Sequence, residues 1–345
     1  MKKISLKNNS ACLITDRLTR KYLTGIDIAE GVLVLGESTA YFTDARYFYS
    51  AKFEIERVGI KAVLFSGNQQ VFDFLKSHGV ENLYIDYSRV TIKEYNEYSK
   101  YGIKLFDLSE TLSKMRSVKD DNEIEKIERA CQIAQTAYYF GIGRVKEGIR
   151  EIELKNIIEE SILSQGSFGP SFDIIVAFGE NSAVPHHQTG HKKLEKDMPI
   201  LVDMGAMVDG YMSDLTRTAF FGNPSEKFIS CYEKVLNANN LAEEEILSGI
   251  TSKDADKIAR DYLDKEGLGE KFTHSLGHGV GLEIHEYPNL SKRGEGTIEE
   301  NMVFTIEPGV YFDGEFGIRI EDTVVIKNGK VKRLFSDDKS LLIIK

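Results

Sequence analysis

Six of the seven histidines fall in two short windows, His186, His187 and His191, then His274, His278 and His285, a clustering that random scatter would not produce. Around them stand four acids on strand-like segments. Asp203 lies in Pro199-Ile-Leu-Val-Asp-Met-Gly-Ala and Asp214 in Gly210-Tyr-Met-Ser-Asp-Leu-Thr-Arg-Thr. Glu307 lies in Val303-Phe-Thr-Ile-Glu-Pro-Gly and Glu321 in Gly317-Ile-Arg-Ile-Glu-Asp-Thr. A carboxylate flanked by Leu and Val, or by Ile, is costly to bury unless something neutralises it, and a metal ion is the obvious partner. Four carboxylates and one neutral imidazole offset two divalent cations, leaving a bridging water or hydroxide as nucleophile. Mostly oxygen donors with one nitrogen suit Mn²⁺, Co²⁺, Fe²⁺ or Zn²⁺ rather than a thiolate-type zinc centre.

The elements that carry these residues show a repeat. Ile124, Ile127, Cys131, Ala134 and Tyr138 recur at helical spacing, and a second helix carries Ile152, Leu154, Ile157, Ile158 and Ile162. After a β-rich stretch the order returns: a helix from Pro224-Ser225 with Phe228, Tyr232, Val235 and Leu236, then one from Thr251-Ser252 with Ala255, Ile258, Ala259 and Tyr262. First helices near 122 and 225 are offset by 103, second helices near 151 and 252 by 101. The acids follow suit, Asp203 to Glu307 by 104 and Asp214 to Glu321 by 107. Each half thus contributes a hairpin with two inward acids, and the hairpins face each other across a pseudo-twofold axis.

Upstream, from Ala11 to Phe106, short β-branched and aromatic runs (Gly31 to Leu35, Ala40 to Thr43, Lys61 to Phe65, Asn82 to Ile85) alternate with helical stretches such as Gln70 to Ser77, as in a small α/β domain. Asp107 to Asn122 is polar and ends in a helix-start signal, which puts a boundary near residue 117, with domains 1–117 and 118–345. A chain of 345 residues has room for two domains, and 41% hydrophobic with 28% charged residues is an ordinary soluble composition. No apolar run approaches the 18 or more residues of a membrane span, and Met1-Lys2-Lys3 leads into no apolar signal segment, so a cytoplasmic protein is expected. Cys12, Cys131 and Cys231 are odd in number and far apart, as buried thiols rather than a disulfide framework. A formal charge of −10 disfavours nucleic acid and anionic membranes as partners.

In this order, Asp203, Asp214, then His278 within Thr273-His-Ser-Leu-Gly-His-Gly-Val-Gly-Leu-Glu-Ile-His-Glu-Tyr-Pro, then Glu307 and Glu321, the chain resembles the dinuclear metallopeptidases of the pita-bread fold. More closely it resembles the branch containing prolidase and aminopeptidase P, whose creatinase-type amino-terminal domain is similar around Tyr41-Phe-Thr-Asp-Ala-Arg-Tyr. The resemblance covers the whole chain. It implies an α/β (α+β) architecture, with a small creatinase-type domain ahead of a pseudo-twofold pita-bread domain. It also implies two divalent ions per subunit, Mn²⁺ first among the candidates, with Asp203 bidentate on one, Asp214 and Glu321 bridging, and His278 and Glu307 on the other.

Asn181-Ser-Ala-Val-Pro-His186 resembles the loop whose histidine stabilises the transition state, and His285 the histidine that contacts the substrate carbonyl. His274 matches a family position and either meets substrate or supports the site from behind. Arg319 shares a strand face with Glu321 and either binds the substrate's carboxylate or pairs with a ligand acid. Phe172 and Ile284 line a pocket for a proline ring or belong to the core. Tyr211 and Thr216 are expected to support Asp214, His187 and His191 to lie near the mouth, and His78 on the surface after a helix.

The implied reaction is hydrolysis of an Xaa-Pro bond at a free amino terminus, by dipeptidase or aminopeptidase, with Glu307 carrying the proton and His186 and His285 steadying the carbonyl oxygen. A methionine aminopeptidase shares the ligands but resembles only the catalytic half. Creatinase resembles both domains yet lacks the ligands, and a non-catalytic peptide-binding module predicts degraded ones. A homodimer is expected, with Asp44-Ala-Arg-Tyr47 either approaching the other subunit's cleft or forming a turn with an Asp44–Arg46 surface pair.

Overall fold

The amino-terminal alternation of strand and helix runs folds into one mixed sheet. The structure, a computed structural model, describes residues 2–345, and the chain divides into two compact units, Met1–Met115 and Arg116–Lys345. In the first, β1 (Ser10–Ile14), β2 (Val32–Gly36), β3 (Ala40–Thr43), β4 (Lys61–Leu64), β5 (Asn82–Ile85) and β6 (Lys104–Asp107) lie in the order β4-β3-β2-β1-β5-β6. Helices α1 (Arg17–Thr24), α2 (Ala45–Arg57), α3 (Asn68–Ser77), α4 (Ile92–Tyr98) and α5 (Ser109–Ser117) connect and follow them. Leu13, Val34, Phe42, Leu75, Leu83 and Ile85 make its core. Asp44 caps α2, its carboxylate accepting from Arg46 N at 2.8 Å, so the Asp44–Tyr47 segment opens a helix rather than forming a free turn. The Asp44–Arg46 ion pair is present and exposed.

In the second unit, α6 (Asp121–Ile142) packs with α7 (Glu151–Ser164), and α8 (Glu226–Glu245) with α9 (Ser252–Lys265). Their starts lie within a residue of those expected, because local caps fix them. Asp120 accepts from Glu123 N in a capping box, Ser225 from Phe228 N, and Thr251 from Asp254 N. The apolar faces of α8 and α9 close over Phe304, Ile306, Ile318 and Val324.

Nine strands form the main sheet. The first half supplies β7 (Ile175–Phe178), β8 (Met198–Met204) and, after the hairpin of β9 (Met207–Val208) and β10 (Tyr211–Met212), β11 (Leu215–Phe221). The second supplies β12 (Gly277–Gly279), β13 (Glu286–Leu290), β14 (Val303–Ile306) and, after the hairpin of β15 (Gly309–Phe312) and β16 (Phe316–Arg319), β17 (Glu321–Lys327). The order β13-β12-β14-β17-β11-β8-β7 runs outward from the central β17–β11 pair through matching strands on each side. This is the pseudo-twofold arrangement that the repeat implies. β18 (Lys330–Arg333) and β19 (Ile343–Ile344) add to β17 and β11. Among the described residues no helix is long and apolar enough to cross a membrane, and the three cysteines are buried and free.

Two glycines let strands approach where the acids cluster. A Cβ on Gly277 would lie 1.9 Å from the Thr305 carbonyl oxygen, and one on Gly205 equally close to that of Ser213. Backbone atoms cannot yield as a side-chain tip can. Gly277→Ala should therefore push β12 off β14 at a cost of about 1–3 kcal/mol, seen as a lowered midpoint in thermal or urea unfolding. An unchanged midpoint would show that the strands have room to part.

Candidate metal centre and active-site cleft

Strand register gathers the acids. Thr216 on β11 pairs with Asp203 on β8 and, on its other side, with Glu321 on β17. Residues opposite each other in a ladder put their side chains on one face, so Asp203, Thr216 and Glu321 form a row. The β14–β17 ladder ends at Ile306↔Asp322, and Glu307, one residue beyond, completes that row. The next row holds Asp214, whose N–H donates to Thr323 Oγ1 at 3.0 Å while that hydroxyl donates back to the Asp214 carbonyl. It continues through Thr305, paired with Thr323, to His278, whose N–H donates to Thr305 Oγ1. Asp203 and Glu307 are not strict symmetry mates. An offset of 107 carries Asp214 to Glu321 and Thr216 to Thr323, yet Thr323 pairs with Thr305, so Glu307 lies one pleat beyond the position equivalent to Asp203. It does so by leaving the ladder, its N–H donating to the Leu276 carbonyl.

Ligating atoms of Asp214, His278 and Glu321 all lie within 4.8 Å of one another. His278 Nδ1 faces the Gly279 carbonyl at 3.2 Å and so carries the ring hydrogen, leaving the Nε2 lone pair toward Glu307 Oε1 at 3.4 Å and Asp214 Oδ2 at 3.6 Å. Asp203 Oδ1 and Asp214 Oδ1 are buried without a hydrogen-bond partner. Orphaned buried carboxylate oxygens beside a bare imidazole nitrogen are the donor set that a hard or borderline divalent cation fits. The titration behaviour agrees. Burial, then repulsion from the neighbouring acids, raises Asp214 and Glu321 well above the carboxylate range. Glu307 is pushed up to about 8, chiefly by burial and against the pull of Arg319. Burial and the nearby His285 hold His278 down at about 4, keeping it neutral.

One cation stands among these acids. Arg319 is buried and donates from Nη2 to Asp203 Oδ2 at 2.6 Å, from Nε to Thr216 Oγ1 at 3.0 Å and from Nη1 to the Tyr311 hydroxyl at 2.8 Å. Thr216 passes its own hydrogen to Glu321 Oε2 at 2.5 Å. Arg319 thus pairs with Asp203, one of the five expected ligands, while also lining the cleft. Tyr311 in turn meets His274 Nε2 at 2.9 Å, while His274 Nδ1 faces the Ser275 carbonyl at 2.8 Å. Both nitrogens of His274 are thus engaged from behind the site, and burial, with Arg319 close by, lowers its pKa to about 3.

A cleft of about 670 Å³ opens over the acids, lined by the four acids and His278 of the rows, together with His186, His285, His274, Arg319, Phe172 and Ile284. His285 stacks edge-on against His278 with centroids 4.3 Å apart, and burial with His186 lowers its pKa. The loop bearing His186 hangs from Glu151, the first residue of α7. This fully buried carboxylate accepts from Phe178 N, Asn181 Nδ2, His187 Nε2 and Gly190 N at 2.8–3.1 Å. His187 is therefore an anchor of that loop, whereas His191 and His78 are exposed. Behind His285, Glu286 is held by Lys119 Nζ at 2.7 Å and Arg116 Nη2 at 2.8 Å. Glu151, Tyr311, Arg116 and Lys119 were not found by pattern, since nothing local distinguishes them from capping or surface residues. Two expected supports of Asp214 point elsewhere. Tyr211 donates to Glu123 at 2.7 Å and Thr216 to Glu321, because the register sets Thr323, not either of them, beside Asp214.

The sequence pattern described as metallopeptidase family M24 matches residues 125–328, and that of the creatinase/prolidase N-terminal domain matches residues 2–118. The Xaa-Pro dipeptidase of Pyrococcus furiosus is 38% identical over 315 residues, 90% of this chain and 88% of that protein. Among solved structures, the Xaa-Pro dipeptidase from Bacillus anthracis superposes with a TM-score of 0.93 at 34% identity, covering 97% of this chain and 95% of that one. The X-Pro aminopeptidase from Thermotoga maritima gives a TM-score of 0.89 at 32% identity, with 97% of each chain covered.

The shifted groups set a pH dependence. Folded and free of metal, Glu307 keeps its proton up to about pH 8, but once unfolded it ionises above its ordinary 4.5. The folded state holds the extra proton between those values and loses stability as pH rises through them. His278 and His274, depressed from 6.5, act in the opposite sense but only below that value. Between pH 6.5 and 8 the carboxylates act unopposed, so the melting temperature of chelator-stripped protein should fall with rising pH. Mn²⁺ should restore it, most at the upper end. A stripped protein whose melting temperature rises across this window would contradict the charge arrangement described.

Proposed function

Because the chain belongs to metallopeptidase family M24 and carries a creatinase/prolidase N-terminal domain, we propose that it hydrolyses the Xaa-Pro bond at the free amino terminus of peptides. The observation that carries this reading is the pair of buried acid rows with orphaned Asp203 and Asp214 oxygens, in a chain similar along nearly its whole length to Xaa-Pro dipeptidases.

Asp203, Asp214, His278, Glu307 and Glu321 would hold two divalent ions, Mn²⁺ first among the candidates; of these residues, Asp214, His278 and Glu321 bring ligand atoms within 4.8 Å of one another. Ions bound there supply Lewis acidity toward the scissile carbonyl and a water acidic enough to attack it near neutral pH. The chain's own residues do the rest. Glu307, steadied by Thr305 Oγ1 at 3.1 Å, is placed to take a proton from the attacking water and return it to the departing proline nitrogen. His186 and His285 stand on the cleft wall, where they can donate to the carbonyl oxygen as charge develops. Phe172, Ile284, Ile175 and Pro185 give that wall an apolar stretch suited to the proline ring. Arg319 keeps Asp203 and, through Thr216, Glu321 in register with the incoming bond.

A methionine aminopeptidase reading leaves the matched N-terminal domain unexplained, and a non-catalytic module leaves the complete ligand set unexplained. The assembly proposed is a homodimer. Tyr49 and Phe53, one helical turn apart on α2, are 81% and 75% exposed, an aromatic face of the kind that partners cover.

Asp214→Ala or Glu321→Ala should nearly abolish cleavage of an Xaa-Pro peptide and lower metal content from two ions toward one or none. His186→Ala and His285→Ala should keep both ions while turnover drops about 10² to 10³-fold. Elemental analysis with steady-state kinetics separates the two classes, and loss of metal from the histidine variants would move those residues into the ligand set. Light scattering should return twice the chain mass, and a monomer carrying full activity would remove the dimer from this proposal.

A further inference from the structure

Asn239 sits in the middle of α8, where an amide gains nothing from the helix, and it is fully buried. Both Nδ2 hydrogens are used, one on the Ile306 carbonyl at 2.9 Å and one on the Ile320 carbonyl at 3.1 Å. Those are the residues directly before Glu307 and Glu321. Oδ1 accepts from Lys339 Nζ at 2.6 Å. The same ammonium bonds Glu243, four residues on from Asn239, at 2.9 Å and lies 3.7 Å from Asp322 Oδ2. An ammonium can only donate, so Lys339 fixes which end of the amide faces it and aims the NH₂ at the two carbonyls.

The placement matters because the backbone ladder between β14 and β17 stops at Ile306↔Asp322. The backbone rejoins the two segments only past the acids, where Ile320 N–H donates to the Pro308 carbonyl at 3.3 Å, and between these two joins the amide bridges the peptide units from which Glu307 and Glu321 project. We propose that Asn239, oriented by Lys339, is a positioning residue that sets the separation of Glu307 and Glu321. The carboxyl-terminal segment thereby takes part in building the metal centre. This rests on the reading of those two acids as ligands. Metal–ligand distances vary by only about 0.2 Å, so a clamp on the peptide units behind two ligands acts directly on affinity. Groups that orient ligands in this way typically carry about 10- to 100-fold in metal binding.

The test is calorimetric titration of Mn²⁺ into chelator-stripped wild type, Asn239→Leu, Lys339→Met and Lys339→Arg, each well below its own unfolding midpoint and checked by circular dichroism. Asn239→Leu should lose about 10- to 100-fold in affinity for at least one ion. Lys339→Met should lose less, and Lys339→Arg should recover part of it. Folded Asn239→Leu with wild-type affinities overturns the proposal, even if its melting temperature is lowered, since a purely structural residue would behave in that way. Should Asn239→Leu fail to fold, unchanged affinity in Lys339→Met overturns it. A wild type that takes up no Mn²⁺ would overturn the ligand assignment itself, an outcome distinct from variants that match a metal-binding parent.

Discussion

Mutual repulsion among four carboxylates held at one place inside a sheet is the constraint on which the carboxyl-terminal unit depends. Two unit charges about 4 Å apart repel by about 4 kcal/mol even at an effective dielectric constant of 20, and the raised pKa values of Asp214, Glu307 and Glu321 express burial first and the neighbouring negative charges second. A single guanidinium, that of Arg319, offsets part of it. Threonine hydroxyls at 216 and 305 offset a little more by donating to Glu321 and Glu307. Full compensation needs divalent charge, which is why the fold presents bare oxygens rather than satisfying them internally. Strand ladders, glycines at 205 and 277 and the buried arginine can all be understood as means of holding like charges together until that charge is supplied.

The helices and strands were legible because their signals are local. Asp120, Ser225 and Thr251 cap three helices whose starts the sequence places to within a residue, and apolar flanks marked the four acids as inward. The partners of the site were less legible. Glu123 and Tyr211 meet across 88 residues, and Thr216 reaches Glu321 across 105. Such pairs depend on which strands become neighbours and in what register, and neither is written in a hairpin's own sequence. Glu151 reads as a helix-start acid and serves as a four-donor anchor for the loop of His186. The displacement of Glu307 by one pleat was likewise hidden, because a repeat offset is blind to where a ladder ends.

Directionality is a further property of the polar groups behind the ligands. Arg319 only donates, so the Tyr311 hydroxyl accepts from it and gives its own hydrogen to His274, which therefore holds its remaining hydrogen toward Ser275. On the other branch Thr216 accepts from Arg319 and gives to Glu321. The Tyr311 and Thr216 hydroxyls and the His274 imidazole each have one orientation in this relay, set by a guanidinium that keeps its protons. The acids proposed as ligands are consequently held by groups whose donor direction is fixed.

At the central β11–β17 pair the described backbone ladder has two rungs, Leu215↔Asp322 and Thr216↔Glu321. What continues the join is side-chain stitching: Thr323 to the backbone of Asp214, Arg217 to the carbonyls of Thr216 and Glu321, and Thr218 to the backbone of Arg319. A backbone ladder tolerates almost any sequence, whereas a stitched seam depends on particular residues. Two copies of one ancestral helix-helix-sheet unit would have inherited the ladders of each half but not this seam, whose stitches fall on different residues on its two sides. The join between the halves, along which the acids proposed as ligands lie, therefore depends on named side chains where the ladders within each half depend on backbone.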